Sequence, residues 1–258
     1  MPRCVSRPLL PNFFLSYGFF FLVVRVAWKW TRASSCPYLM RKKTHVPRRT
    51  PPGGSVVVGP CVSGKRNLEK ALAAAAPRMK SKDAVQFQTR WRPFFLMPPE
   101  VWAKNIASGE FPPEASSKGI VKLDYYVSKF GANRLPPMME RLEGAMAGAG
   151  IEGFSMGGNT GPTLDGHRIA CYAEREEGME KQNAFMEEIF RAYFCEEKAP
   201  CDREVLLAAA RGAGLDVDKT TAVLDHPTTE LGELDEQMRR YARGVSGVPY
   251  FIVSDGSR

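Results

Sequence analysis

An α/β architecture, made of a strand–helix–strand unit, a long and mostly helical insertion and a returning strand, is predicted by three features of this sequence. First, the β-branched run Val56-Val57-Val58 ends in Gly59-Pro60, and residues 64–76 (GKRNLEKALAAAA) follow as a segment rich in the strong helix formers Ala, Leu, Glu and Lys. Second, residues 84–91 alternate apolar and polar side chains with period two, the mark of a half-buried strand that ends before Arg92-Pro93-Phe94-Phe95-Leu96. Third, near the C-terminus Gly244 and Gly247 deliver Pro249 to the start of the apolar run Tyr250-Phe251-Ile252-Val253. Proline cannot donate to a ladder and so belongs at the first residue or the edge of a strand.

Strand, helix, strand in that order predicts a βαβ unit with a parallel pair, and places Cys61 in the strand-to-helix turn. Residues 98–118 read as loop, punctuated by Pro98, Pro99, Gly109, Pro112 and Pro113. Helices are predicted over 122–130, 136–147, 167–176 and 180–194, with glycine as the recurrent stop signal. In the last of these Phe185, Met186, Ile189, Phe190, Tyr193 and Phe194 form one wide apolar stripe that should face the core. Asp202 is a cap candidate for a helix over 202–211, a short helix follows at 218–224, and 230–243 feeds the Gly-Val-Pro segment. The expected organisation is a leader at 1–55, the first βαβ half at 56–96, the helical insertion at 97–229, and the returning helix and proline strand at 230–258. Gly247-Val248-Pro249 suits a cis X-Pro bond in a tight turn, which leaves the Val248 amide and carbonyl free.

At 258 residues, with 44% hydrophobic and 25% charged residues, the chain has enough apolar material for one core plus an inserted subdomain. Its net charge of +8 is misleading about partners. Residues 1–66 hold 12 basic and no acidic side chains, and the remainder is −4, so the folded body has no basic excess and nucleic acid is not an expected partner. Residues 8–24 run without a charge and are rich in Phe, flanked by arginines. Three readings of this leader stand: a targeting segment for an organelle (plastid or mitochondrion), a stretch that is not native coding sequence, and a signal anchor, the one case in which a membrane is a partner. A cytoplasmic or an organellar location follows from the first two. The six cysteines contain no Cys-x-x-Cys pair, and three histidines set apart from them offer no zinc spacing, so neither a disulfide framework nor a metal is expected.

With these elements placed, the chain resembles the DsbA-like thioredoxin-fold oxidoreductases of the FrnE branch, which are related to 2-hydroxychromene-2-carboxylate isomerases and kappa-class glutathione transferases. The carriers are Gly64-Lys65-Arg66-Asn67-Leu68-Glu69, Trp91-Arg92-Pro93-Phe94, Gly158-Asn159-Thr160 with Asp165-Gly166-His167-Arg168, Lys181-Gln182-Asn183, Ala192-Tyr193-Phe194 and residues 244–251. Each is weak alone; their order and spacing together are specific. The resemblance implies an α/β, thioredoxin-like fold with a large helical insertion, its N-terminal strand degraded and its C-terminal strand and helix missing. An absent edge strand predicts reduced stability in isolation.

In that family a Cys-Pro-Trp-Cys turn precedes two residues and Gly-Lys, so the resemblance puts Cys61 at the second cysteine and Val58 at the first. Cys36-Pro37-Tyr38-Leu39 imitates the motif but lacks the partner cysteine. The resemblance implies thiol–disulfide exchange on a protein substrate or small thiol, catalysed by Cys61 and impaired by the loss of the first cysteine. No cofactor is implied, with glutathione as the candidate co-substrate. The helix N-terminus, Lys65 and Arg66 would favour a thiolate at Cys61, whereas a buried second cysteine would be inert. Val248 and Pro249 are the expected substrate-docking residues. Trp91, Phe94, His167, Arg168 and Asn159 are further substrate-binding candidates, each with a structural alternative as core aromatic, satisfied histidine pair or turn residue. Ser63 reads as a helix cap or as a glutathione-activating hydroxyl. Two other functions remain open from the residues: a glutathione-dependent isomerase or transferase, and a redox-silent binding module of the same fold. The sequence leaves the oligomeric state undetermined.

Overall fold

The structure, a computed structural model, describes residues 21–25, 60–75, 88–245 and 247–252. Ten helices and four short strands are present among these residues, in the order β1 (Phe21–Arg25), α1 (Pro60–Ala75), β2 (Gln88–Arg92), α2 (Pro99–Ala107), α3 (Ala115–Lys118), β3 (Ile120–Val121), α4 (Lys122–Phe130) and α5 (Leu135–Ala149). Then come β4 (Asn159–Thr160), α6 (Leu164–Tyr172), α7 (Met179–Phe194), α8 (Arg203–Gly212), α9 (Val217–Asp225) and α10 (Leu231–Gln237). α6 runs on into a π-turn over Ala173–Glu177, and α10 into another over Met238–Ala242.

The strands form two separate antiparallel pairs. β1 lies against β2 with Phe21 opposite Arg92 and Arg25 opposite Gln88. The partner described for β2 is therefore antiparallel and comes from the leader, not the parallel partner expected from Val56-Val57-Val58, which lies outside the described residues together with residues 84–87. β3 pairs with β4, Ile120 opposite Thr160. Gly119 makes that pairing feasible: at φ 72° a Cβ would sit 2.3 Å from the Thr160 carbonyl oxygen.

The loop predicted at 98–118 is instead helical in two pieces. Pro98 and Pro99 stand at the start of α2, where a missing N–H costs nothing, so they initiate the helix rather than forbid it. α2 then buries Trp102 against Phe111 and Ala115 in a small satellite cluster, the two rings 5.0 Å apart. Of the other predicted helices, 122–130 keeps its bounds, α1 starts four residues earlier than expected, and the rest have ends shifted by up to three residues when the π-turns after α6 and α10 are counted with them. Asp202 caps α8 by accepting from the Glu204 amide at 2.9 Å, and Asp216 caps α9 through the Lys219 amide. Residues 247–252 carry no ladder, so the predicted returning strand is an unpaired segment over the described part of its length.

α7 is the spine of the core. All six stripe residues are buried, and they meet α8, β2 and the π-turn after α6. The stripe also carries a polar member: Gln182 accepts from the Trp91 amide at 2.9 Å and donates to the Trp91 and Ala170 carbonyls, each at 3.1 Å. One side chain thus does for Trp91 what a neighbouring strand would do. Among the described residues no helix is long and apolar enough to cross a membrane.

Lys122, the first residue of α4, is buried with its ammonium donating to the Tyr193 carbonyl at 3.1 Å and lying 4.0 Å from the Tyr193 ring centroid. Burial pushes its pKa from the ordinary 10.5 down to about 8, against the weaker pull of Glu197 and Cys195. A lysine whose folded pKa is the lower one penalises folding while it is charged, so the cost is full below pH 8 and fades as pH rises toward the unfolded value. Wild type is expected to gain about 2 kcal/mol relative to Lys122→Met between pH 8 and about pH 10. Parallel denaturant titrations of the two proteins measure it, and a pH-independent difference would refute the buried ammonium.

Candidate functional site

α1 begins at Pro60, and a helix tolerates proline at its first position. Cys61 is thus inside the first helical turn, not in a preceding strand-to-helix turn. Cys61 and Val62 join the main core with Trp91 and Phe190, and Cys61 is 1% exposed. Burial pushes its thiol up from the ordinary 9.0 to about 12. This corrects the expectation of a stabilised thiolate: desolvation of the sulfur outweighs the favourable end of the helix.

The two cations expected to assist the sulfur are committed elsewhere. Lys65, buried, pairs with Glu69 one turn on and with Glu187 of α7. Arg66 reaches Glu69 at 3.0 Å and Glu187 at 2.5 Å. The four residues tether α1 to α7, so Lys65 and Arg66 position the helix instead of activating Cys61. Ser63 is the fourth residue of α1 and buried, which removes its capping role: an N-cap precedes the first turn.

The proline segment does come to this helix. The Val248–Pro249 bond is cis. A methyl group placed on Gly64 would lie 3.1 Å from Pro249 Cγ and 3.2 Å from Phe251 Cζ. Cys61 and Gly64, three residues apart, share a helix face. Val248 packs against the cluster that contains Cys61, while Tyr250 and Phe251 keep 46% and 39% of their surface exposed. A Cβ at this position would make the Pro249 and Phe251 side chains give way by a few tenths of an ångström, and a larger side chain by more. Gly64→Leu is expected to push Pro249 and Phe251 off α1, lowering stability by about 1–3 kcal/mol while speeding iodoacetamide labelling of Cys61 more than tenfold. Unchanged labelling would mean that the segment does not shield the thiol.

Beside α1 opens a cavity of about 430 Å³ whose apolar wall includes Val62, Ile151, Phe190 and Phe194, with Arg66 and Cys195 at its polar side.

The other predicted site residues have structural roles, Trp91 within the same core cluster as Cys61. Trp91 is buried, edge-on to Phe190 at 5.3 Å, with its indole N–H donating to Asn183 at 3.1 Å. The backbone of Phe94 meets the Nε2 atom of His167 at 3.3 Å, while Nδ1 lies 2.6 Å from the Thr163 carbonyl. Burial drives His167 down to about 4, only partly offset by those backbone bonds, so it is neutral at physiological pH and holds the 94–95 turn on α6. Arg168, also buried, donates to the Thr229 carbonyl at 2.8 Å, to Asp165 at 2.6 Å and to the Val223 and His226 carbonyls. Both members of the His-Arg pair are buried. Asn159 donates to the Lys118 carbonyl at 2.9 Å and secures the β3–β4 corner. Gln182 and Glu187 are the residues that reasoning from sequence missed. The signal for Gln182 was available, since an amide three and four residues before Phe185 and Met186 falls on the apolar face and needs a buried partner.

Among the described residues no group of three or more His, Cys, Asp or Glu side chains is placed to hold a metal ion. A family model, the DSBA-like thioredoxin domain, matches residues 55–258. No curated protein matches the chain. Among solved structures the chain is similar to a probable DsbA oxidoreductase from Streptomyces coelicolor, with 23% identity and a TM-score of 0.56, over 90% of this chain and 79% of that one. At that identity the likeness is one of fold.

Proposed function

This chain belongs to the DSBA-like thioredoxin domain family, and from that premise we propose that it is a slow thiol–disulfide oxidoreductase working through Cys61 beside Pro249. The order of its motifs favours the FrnE branch within that family. The observation that carries the reading is the contact of Pro249 and Phe251 with Gly64, one helical turn past Cys61. A substrate strand docked along Val248 would bring its disulfide to the first turn of α1.

In the proposed step the Cys61 thiol gives its proton to solvent, and the thiolate attacks one substrate sulfur. A mixed disulfide forms, the substrate S–S bond breaks, and the other substrate sulfur leaves as a thiolate. A small thiol such as glutathione then attacks the substrate sulfur of the mixed disulfide, restoring Cys61 and carrying the substrate away as a new mixed disulfide. One sulfur suffices for this cycle. It requires Cys61 to be uncovered, because the residue is 1% exposed at rest.

Insulin reduction with glutathione as the reductant, run on wild type and Cys61→Ala, tests the proposal. Activity in wild type that disappears in Cys61→Ala supports it. Equal activity in both removes Cys61 from the mechanism, and no activity in either leaves a redox-silent binding module.

A further inference from the structure

β2 has a second face. Side chains alternate along a strand, so Arg90 and Arg92 project away from the side on which Trp91 enters the core with Cys61. The two arginines line a cavity of about 450 Å³, closed by the π-turn after α6 and by α10 with its own π-turn. The size is that of a small-molecule site.

Charge in this cavity is unbalanced at its floor. Arg90 and Arg92 share a single carboxylate, Glu174, with Arg90 at 3.4 Å. Arg92 is buried, donates also to Gln237 at 3.2 Å, and lays its guanidinium 4.7 Å from the Tyr241 ring centroid. The Nε–H groups of both arginines are buried and have no acceptor among the described residues. A guanidinium N–H without an acceptor is costly in a protein interior, and such orphaned donors call for an explanation. At the mouth, Arg240 is exposed with its guanidinium 5.3 Å from the other partner of Arg92, Tyr241, whereas Arg175 turns to Glu176 and Glu230. Glu233 and Glu236 also stand in the wall, and Glu233 is held by Gln237 at 2.7 Å. With Arg175 engaged by Glu176 and Glu230, three arginines and three carboxylates remain in the lining, and the local excess of cation lies at the floor, where Arg90 and Arg92 share Glu174 and their Nε–H donors are unsatisfied.

We propose that this cavity binds a small organic anion through a phosphate or carboxylate group, its oxygens received by Arg90 and Arg92 and its entry favoured by Arg240. Guanidinium groups suit such oxyanions because their N–H donors form a planar fork. The site is separate from Cys61, and its occupancy is independent of any thiol chemistry.

Thermal unfolding of the full chain at fixed ionic strength, with inorganic phosphate or succinate as the probe, tests this. A saturable rise of about 3–6 °C at tenfold excess over Kd is expected for at least one probe. A response to phosphate alone identifies a phosphate ligand, to succinate alone a carboxylate, and to both a site that reads charge. The rise should vanish in Arg90→Gln and require several-fold more anion in Arg240→Gln, whose exposed side chain makes it safe for folding even if Arg90→Gln fails to fold. No rise with either probe, or an undiminished response in Arg240→Gln, overturns the proposal.

Discussion

Arg168→Met is expected to destabilise the fold by about 3–5 kcal/mol, lowering the melting temperature by roughly 10 °C or more in a chain of this size. Arg168 fastens α6 to the end of α9: its guanidinium serves the carbonyls of Val223, His226 and Thr229 together with the Asp165 carboxylate. Val223 belongs to the last turn of α9 and His226 is its C-cap, a place where carbonyls lack helical partners and a cation is favoured. Methionine fills much the same volume but leaves the acceptors without a donor in a place water does not reach. Lysine should rescue little, because one ammonium cannot span acceptors spread over three residues of chain and a following loop. Differential scanning calorimetry of the three proteins decides it. A shift of under 2 °C for Arg168→Met would mean that solvent satisfies these carbonyls.

The His167-Arg168 pair also marks the boundary of what the sequence makes legible. The pair is conspicuous in the chain, but its role depends on carbonyls up to 61 residues ahead and on a turn 73 residues behind, and no local pattern encodes those encounters. The same holds at α1. Lys65 and Arg66 sit next to Cys61 in sequence and invite an electrostatic reading, yet Glu187, 121 residues away from Arg66, claims both of them. Periodic features fared better. The α7 stripe is buried at all six positions because helical spacing alone fixes which side chains share a face. The proximity of Pro249 to the Cys61 helix was implied by the family resemblance, and the structure adds that the Pro249 and Phe251 side chains reach α1 at Gly64. Fully buried polar groups, such as Gln182 and Arg92, lie between the two cases: composition flags them, and only the fold supplies their partners.

Labelling of Cys61 by iodoacetamide is expected to rise about tenfold for each pH unit from neutrality to about pH 10 without levelling off, and to lag behind labelling of the half-buried Cys195. The reason is the thiol pKa of about 12, three units above the ordinary 9.0. At neutral pH that shift leaves about a thousandfold less thiolate than an ordinary cysteine would have. A more basic thiolate is a better nucleophile, which returns roughly 15- to 30-fold by the usual Brønsted dependence, so chemistry alone makes Cys61 about 30- to 60-fold slower. Burial of the residue, 1% exposed, slows it further. The same basicity makes Cys61 a poor leaving group, so a mixed disulfide, once formed, should also discharge slowly. Site-resolved mass spectrometry across the pH series reads the labelling directly. A plateau near pH 8 or 9 would show that the helix end stabilises the thiolate after all, and a reactive sulfur would then stand at the site where burial argues for a dormant one.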